Sequence, residues 1–473
     1  MKLLPLLLLP LAGCGQEVQL PQQPNILIVL ADDLGYGDPG CYNSDSHVST
    51  PAIDRLAAQG MRFTDMHTPS AVCTPTRYGL LTGRYAWRSS LKSGVLFGYD
   101  PALIEAERDT LASMLGRAGY HTACVGKWHL GFGTEKPVDY STELTPGPLD
   151  IGFDRFFGIP SSLDIPPYLY IEGNQAVGPL TGEIAKSDLA RHGGDGFWRK
   201  GKIADDFAHD EVLDRILTES QGFLRDHVAA QDDAPFFLYV PLTAPHTPWI
   251  PKQEFRGSSQ AGTYGDFVAQ VDDTLGKLLA TLDELDLSKD TLVIFTSDNG
   301  AHWKQSDIER YAHLANADWR GQKADIHEGG HRVPFVVRWP GQVPEGSTRS
   351  ELLVLTDLYA TIGAITGTPA LPGAGEDSVN ALPVLLNEQL DAPPRDSAVH
   401  HSLNGMFALR EGNWKYIEGV GSGGFTQIKS PENGPSGQLY DLSKDPGEKN
   451  NLWATEAELV ARLQARLEEI RGE

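Results

Sequence analysis

Positive charge is scarce in this chain. Its 473 residues carry 39 lysines and arginines against 63 aspartates and glutamates, a net charge of −24. A surface that binds nucleic acid must neutralise a row of phosphates, so this balance excludes nucleic acid as the partner. It leaves open a small anionic substrate, because one pocket can be locally positive on an acidic protein, above all with a metal in it. Long hydrophobic runs are lacking too. The longest stands at positions 3–11, well short of the roughly 20 residues that cross a bilayer. Cysteine is sparse, at positions 14, 41, 73 and 124 only. Repeats and low-complexity tracts are absent.

The N-terminal sequence MKLLPLLLLPLAGCGQ places one lysine ahead of that apolar run. This is the pattern of a secretory signal. Leu11-Ala12-Gly13-Cys14 resembles a bacterial lipobox, which implies cleavage before Cys14 and a lipid on its thiol. The chain is thus expected to be exported to the periplasm or cell surface, touching the membrane only through that anchor. With Cys14 lipidated, three cysteines remain, an odd number that makes a disulfide framework a poor reading. Cys124 lies in an apolar strand and reads as a buried, inert thiol.

Strand-like apolar runs alternate with helical patterns over most of the chain, which predicts βαβ units and an α/β fold with a mostly parallel sheet. Strands are expected at NILIVLADD (25–33), HTACVGKWHLG (121–131), PFFLYVPLTAPHTP (235–248), TLVIFTSDNG (291–300) and HRVPFVVRWPG (331–341). Helices are expected at 50–60 (with Thr50 as N-cap and Gly60 as stop), 109–120, 205–227 and 263–285. Near residue 370 a Pro/Gly stretch introduces short strands and a final charged helix. The expected division is a signal peptide over 1–13, a linker over 14–23, a catalytic α/β domain over 24–370 and a small α+β domain over 371–473.

Four predicted strands end in polar groups: Asp32 and Asp33, Lys127 and His129, His246, and Asp298 with Asn299. Ligands of open α/β sheets bind where the strands end, so these groups are expected to converge. Asp32, Asp33, Asp298 and Asn299 offer only oxygen, which favours a hard cation such as Ca²⁺ or Mg²⁺. Lys127 and His129 are two apart, and an extended backbone would turn both to one side.

Cys73 stands in AVCTPTRYGLLTGRY. Pro75 suits a helix's first turn and Gly83 its end, so Cys73 sits at a helix N-terminus, where anions are favoured. Arg77 lies one turn further on, on the same face. A low-pKa thiolate is one reading, yet sulfur is a poor neighbour for a hard-cation site.

At this point the sequence resembles a known family. Cys73-Thr74-Pro75-Thr76-Arg77 with Thr82-Gly83 is similar to the type I sulfatase signature C-x-P-x-R-x4-T-G. The resemblance extends to NILIVLADDLGYGD, GKWHLG, APHTP, TSDNG and WRGQKADIHEGGHRVP. It implies an alkaline phosphatase-like fold and conversion of Cys73 to formylglycine (3-oxoalanine) by a maturation enzyme. The hydrate of that aldehyde is both an oxygen ligand and an oxygen nucleophile. The resemblance further implies that Asp32, Asp33, Asp298 and Asn299 hold one divalent cation, usually calcium, with residue 73 completing the shell. It assigns Arg77 to the hydrate, Lys127 and His129 to sulfate and hydrate, and His246 and Lys323 to the sulfate oxygens. Tyr99, Asp100 and His302 are placed as substrate-side candidates, while His327 and His331 are taken as structural. The implied activity is hydrolysis of carbohydrate sulfate esters, of galactose or N-acetylgalactosamine type. The alternatives are a phosphate mono- or diesterase of the same superfamily and a glycan-binding lipoprotein with a dead site. Specificity is expected from residues 160–203, with Tyr168, Tyr170, Arg191, His192 and Trp198, and from the segment around His400 and His401.

Overall fold

The computed structural model describes residues 23–187, 197–428 and 434–472. The signal segment, Cys14, Arg191 and His192 lie outside these residues. Ten strands form the large sheet. In spatial order they are Ser347–Arg349, Met61–Phe63, Phe335–Arg338, Thr291–Ser297, Asn25–Ala31, Phe236–Pro241, His121–Lys127, Arg155–Ile159, Ile171–Glu172 and Gln175–Ala176. Asn25–Ala31 runs at the centre, parallel to both neighbours, with Leu27 opposite Leu238 on one side and Val293 on the other. Its seven residues are all buried. A strand covered on both faces has no use for polar alternation, and the run NILIVLA has none.

The sheet is mixed and mostly parallel, as expected, with its antiparallel pairs toward the flanks. Phe335–Arg338 pairs antiparallel with both of its neighbours. One helical layer contains Pro51–Ala58, Val212–Ala230 and Gly262–Glu284; the other contains Cys73–Thr82, Leu111–Arg117 and Asp357–Thr366. The helix at 51–58 corrects one detail of the sequence reading. Thr50 holds the N-cap position, but its side chain does not cap. Its hydroxyl accepts the Gly40 N–H instead. The helix N-terminus is capped from a distance by Asp272, which accepts from the N–H groups of Ala52 and Ile53 at 3.0 and 2.8 Å.

A separate four-stranded antiparallel sheet follows, built from Ser397–His401, Phe407–Glu411, Trp414–Ile417 and Gln438–Asp441. The helix Ala457–Arg471 lies on it and closes a small core with Phe407, Leu409, Tyr416, Leu439, Val460, Leu463 and Leu467. Where this sheet meets the large one, the junction is ionic. Lys415 reaches Glu328 at 3.1 Å and Glu448 at 3.0 Å. It also lies 3.0 Å from His331 Nε2. The lysine can only donate there, so His331 accepts at Nε2 and donates from Nδ1 to His67 Nδ1 (2.9 Å). His67 in turn donates from Nε2 to Asp65 (2.8 Å). The Asp65 contact fixes His67 as the Nε2–H tautomer and so the hydrogen on His331 Nδ1; at His331 Nε2 the Ile326 carbonyl, 3.2 Å away, competes with Lys415.

The same junction corrects the placement of His400 and His401 as specificity residues. Both are buried, at 0% and 1% exposure. His400 stacks on His331 at 4.0 Å between ring centres, and His401 lies 3.2 Å from the Ser402 carbonyl. Burial disfavours their charged forms: His400 is pushed well below the ordinary histidine value, and His401 down to about 4. A histidine lowered in this way costs nothing above pH 6.5, where folded and unfolded chains both hold it neutral. As pH falls from 6.5 toward 4, the unfolded chain takes a proton that the folded chain refuses, so stability is lost over that window. Replacing His401 by Asn is expected to make the fall in unfolding free energy between pH 6 and 4.5 shallower, by about 1.4 kcal/mol per pH unit. Urea titrations at several pH values measure this, and an unchanged slope would show that His401 is not held neutral.

Candidate active site

The polar strand ends do converge. Asn25–Ala31 delivers Asp32, whose N–H donates to the Ala244 carbonyl at 3.0 Å, and Asp33, whose φ of +68° turns the chain out of the sheet. Thr291–Ser297 delivers Asp298, whose N–H is held by Ala31 at 3.1 Å, and then Asn299. His121–Lys127 ends on Lys127 itself. Gly126 just before it has φ +146°, and a Cβ there would stand 2.0 Å from the Pro241 carbonyl oxygen. Only glycine lets these two chains approach so closely at the floor of the site. The helix Cys73–Thr82 starts at Cys73, after an extended Val72, and stops at Gly83 with φ +63°. All ten of its residues are buried, so it penetrates the core and carries Arg77 with it.

Arg77 is the hub. Its Nε and Nη2 donate to Asp298 Oδ2 at 3.1 and 2.7 Å, and its Nη1 donates to the Lys127 carbonyl at 2.8 Å. Nη2 also lies 3.7 Å from Asp32. Lys127 Nζ donates to Asp32 Oδ2 at 2.6 Å. Lys323 Nζ lies 2.7 and 2.9 Å from the two oxygens of Asp33, and Asn299 Nδ2 donates to Asp33 Oδ1 at 2.7 Å. His246 Nε2 faces Asp33 at 3.8 Å. Ligand atoms of Asp32, Cys73 and Asp298 lie within 4.8 Å of one another, as do those of Asp32, Asp33 and His246. Three carboxylates and three cations thus share a pocket with almost no solvent exposure.

Their electrostatics follow from burial. Burial raises the Asp32 pKa, but Lys127, His246, Arg77 and Lys323 outweigh it and hold that carboxyl well below its usual range. Asp298 goes the other way, raised by burial and by the Asp32 charge despite Arg77 and Lys127. Burial also pushes the Cys73 thiol up, against the pull of Lys127 and Lys323. That corrects the thiolate reading: in this pocket residue 73 as cysteine is a neutral thiol. His129 is pushed far down by burial, then by Lys127 and Arg77.

The residues fit a hard cation. Among the described residues, Asp32 Oδ1 and Asn299 Oδ1 are buried acceptors with no hydrogen-bond partner. A buried carboxylate oxygen without a donor is costly. Two such oxygens beside Asp33 and Asp298, with no nitrogen donor needed, suit Ca²⁺ or Mg²⁺.

The comparisons with known proteins bear on this geometry. The family profile described as Sulfatase matches residues 24–368, and one described as N-sulphoglucosamine sulphohydrolase, C-terminal, matches residues 319–473. The chain belongs to the sulfatase family. An N-acetylgalactosamine-6-O-sulfatase of Bacteroides thetaiotaomicron is 36% identical over 99% of both chains. Arylsulfatase A of Homo sapiens is 36% identical over 94% of this chain and 86% of its own. A solved structure described under metabolism of multiple glycosaminoglycans by Bacteroides thetaiotaomicron aligns with TM-score 0.83 and 34% identity, over 96% of this chain and 100% of that one. The sulfatase accordingly has the alkaline phosphatase-like architecture and is a sulfuric ester hydrolase.

Other candidate residues of the sulfatase fall in several places. His129 has φ +58°, so the extended spacing used to pair it with Lys127 does not apply. It is brought to the site by its Nε2, which lies 2.8 Å from the Leu96 carbonyl. Asp100 is committed to the Phe97 N–H at 2.7 Å and to Lys136. Tyr99 packs edge-on against Tyr140, beside a groove it shares with Val177 and Leu180. His302 sits against Phe425, with ring centres 5.1 Å apart, directly after Ala301, whose carbonyl holds the Lys323 N–H at 3.0 Å. Tyr168 and Tyr170 are buried in an aromatic cluster with Phe207. Ser161, Ser162 and Asp164 fall within the 160–203 region expected to set specificity but are not singled out by any motif; they follow the Arg155–Ile159 strand, which the sequence pattern does not announce.

The Arg77 fork sets a test of the pocket's electrostatics. Removing one partner of a buried ion pair strands the other charge, at a cost of about 3–5 kcal/mol. Arg77→Met keeps volume and deletes the guanidinium, so it is expected to lower the unfolding free energy by that amount in guanidinium chloride titrations. A loss under about 1 kcal/mol, the range of a surface pair, would mean that Arg77 does not compensate Asp298.

Proposed function

We propose that this sulfatase removes sulfate from carbohydrate sulfate esters of galactose or N-acetylgalactosamine type, after conversion of Cys73 to formylglycine by a maturation enzyme. The observation that carries the reading is the position of residue 73: at the start of a buried helix, its Sγ within 4.8 Å of carboxylate oxygens of Asp32 and Asp298, with Arg77 one turn behind it. The name of the Bacteroides relative supports the sugar class. Formylglycine at position 73 would supply, as its hydrate, an oxygen nucleophile, and a divalent cation held by Asp32, Asp33, Asp298 and Asn299 would supply the charge that stabilises that oxygen as an anion.

The remaining roles belong to side chains of this chain. Arg77, Lys127 and Lys323 provide fixed positive charge where the sulfate oxygens gain negative charge, in a pocket closed to water. His246 Nδ1 faces the Thr247 carbonyl. A carbonyl only accepts, so Nδ1 carries the hydrogen and Nε2 is the nitrogen turned to the site. To act as the acid His246 enters as the imidazolium, with hydrogen on both nitrogens; as the S–O bond to the sugar breaks, the Nε2 proton passes to the leaving oxygen and the Nδ1–H tautomer remains. His129 has the opposite disposition. Its Nε2–H donates to the Leu96 carbonyl, and its buried Nδ1 has no partner. Kept neutral by burial, it presents a lone pair and serves as a base that takes a proton. The signal-like segment supports a further part of the proposal, that the protein is exported and anchored by lipid on Cys14.

Cys73→Ser places a hydroxyl at the same position with no second oxygen from which to expel sulfate. Multiple turnover of a sulfated sugar is expected to vanish, with roughly a thousandfold loss or more, while folding is retained. A matched phosphate ester is expected to be the poorer substrate of the wild-type enzyme. Chelation is expected to abolish activity, and Ca²⁺ to restore it. Full turnover by the serine variant, or an unmodified thiol at residue 73 in active enzyme by mass spectrometry, would overturn the formylglycine reading.

A further inference from the structure

A cavity of about 800 Å³ lies between the segment that follows the Cys73–Thr82 helix and the small sheet. Arg84, Arg88 and Lys92 line it from the first side; Asn404, Phe407 and Arg471 line it from the second. Its size, and its place at a seam between packed units, are those usual for ligand sites. Its charge is unusual for this chain. Four cations line it with one carboxylate, Glu376, on a protein of net charge −24. Glu376 is also engaged by Arg108, outside the lining, at 3.0 Å.

Three of the four cations are fixed in place. Arg84 reaches Glu105 at 2.9 Å, Arg88 holds Asp377 through Nε and Nη2, both at 2.9 Å, and Arg471 reaches Glu418 at 2.9 Å. Lys92 has no carboxylate partner among the described residues; its Nζ donates to the Trp87 carbonyl at 2.7 Å. An ammonium has three donors, so two remain. Trp87 adds another. It is 7% exposed, and among the described residues its Nε1 has no hydrogen-bond partner. An indole N–H can only donate, and leaving it unmet inside a protein is costly. The rings themselves are occupied by cations: the Arg88 guanidinium lies over Trp87 at 4.3 Å, and that of Arg471 over Phe407 at 4.2 Å. The cavity therefore offers positive charge and N–H donors, which suit an oxyanion and not a neutral ring.

Two paths connect it to the catalytic pocket. Ser93, in its lining, is separated from Leu96 by at most roughly 10 Å of extended chain. Leu96 donates its N–H to Thr74 Oγ1 at 3.2 Å, and its carbonyl faces His129. On the other side, Asn404 and Gly405 also line a second cavity, of about 590 Å³, which extends along the loop to Gly424 and Thr426. A Cβ at Gly424 would stand 2.2 Å from the carbonyl oxygen of Ala324, the residue after Lys323. We propose that the cationic cavity is an exosite: it binds a second anionic group, a sulfate or carboxylate, of the glycan chain whose sulfate ester occupies the catalytic pocket. This inference rests on the carbohydrate sulfatase reading and extends it from one sugar to a chain. A protein of this net charge repels a polyanionic chain, and a local cluster of cations offsets that repulsion. Attachment at a second point raises the apparent affinity with no change in the chemistry.

Two substrates test the exosite. One is N-acetylgalactosamine 6-sulfate; the other is the chondroitin 6-sulfate trisaccharide that starts with the same sugar and adds a glucuronate carboxylate and a second sulfate. Lys92→Glu is expected to raise KM for the trisaccharide roughly tenfold at unchanged kcat, and to leave the monosaccharide within about twofold. The difference is expected to shrink as salt is added, because salt screens exposed charges; a structural defect would not respond in this way. Asn404 is exposed, and Asn404→Asp adds a negative charge without changing the side chain's shape. It is expected to shift KM in the same direction by a smaller factor, and it stands in should Lys92→Glu fold poorly. No loss on the trisaccharide, or an equal loss on both substrates, would overturn the exosite. So would an effect of added inorganic sulfate on monosaccharide turnover that the wild type shows and Lys92→Glu lacks, since the cavity would then serve the free ion. Wild-type enzyme that hydrolyses an aryl sulfate and neither saccharide would overturn the carbohydrate reading and the exosite with it, an outcome distinct from an unaltered variant.

Discussion

The site depends on Arg77 being buried between Asp298 and the Lys127 carbonyl. A guanidinium without solvent must satisfy its donors within the protein, and the fork does so with two strand ends at once. That ties three elements together: the helix that begins at Cys73, the strand that ends at Lys127 and the strand that ends before Asp298. Lys127 is then left to neutralise Asp32, and Lys323 to neutralise Asp33. With three carboxylates against three cations, the pocket is balanced before any ligand enters. A divalent cation would make it net positive, which is what an incoming sulfate ester requires.

Lys323 is the one member of this set that neither the central sheet nor the Cys73–Thr82 helix carries. It is held from two sides: its own N–H on Ala301 and the next residue's N–H on Ala71, two positions before Cys73. The Ala324 carbonyl in turn accepts the Leu403 N–H of the small sheet's first turn. The small sheet therefore buttresses the loop that presents Lys323. Its attachment through Lys415, Glu328 and Glu448 is buried and ionic. Ion pairs of this kind add little net stability but penalise every misaligned arrangement. The junction sets the position of a loop more than it adds to the stability of the fold.

Much of this was legible in the sequence, for a physical reason. Central parallel strands must be apolar throughout, so a polar pair such as Asp32-Asp33 or Asp298-Asn299 directly after such a run marks the end of the sheet and the start of a site. Cys73, Pro75, Arg77 and Gly83 were legible because helix-end chemistry and an i, i+4 spacing are local. Contacts made across long sequence separations were not. The cap on the Pro51–Ala58 helix comes from Asp272, 220 residues away, and Thr50 looked sufficient alone. His400 and His401 read as polar and available, yet the junction buries them. His129 was placed near Lys127 by an extended spacing that its positive φ contradicts; its Leu96 partner, 33 residues distant, brings it in.

The partnerless atoms around the pocket sort by chemistry. Asp32 Oδ1 and Asn299 Oδ1 are buried hard oxygen acceptors with no donor among the described residues, the kind of group that a divalent cation satisfies. His129 Nδ1 is a neutral nitrogen acceptor kept uncharged by burial and by Lys127 and Arg77; it is suited to accept a hydrogen bond from a hydroxyl. The protein thus leaves unsatisfied, in two places in one pocket, an oxygen pair suited to a cation and a nitrogen suited to a hydroxyl.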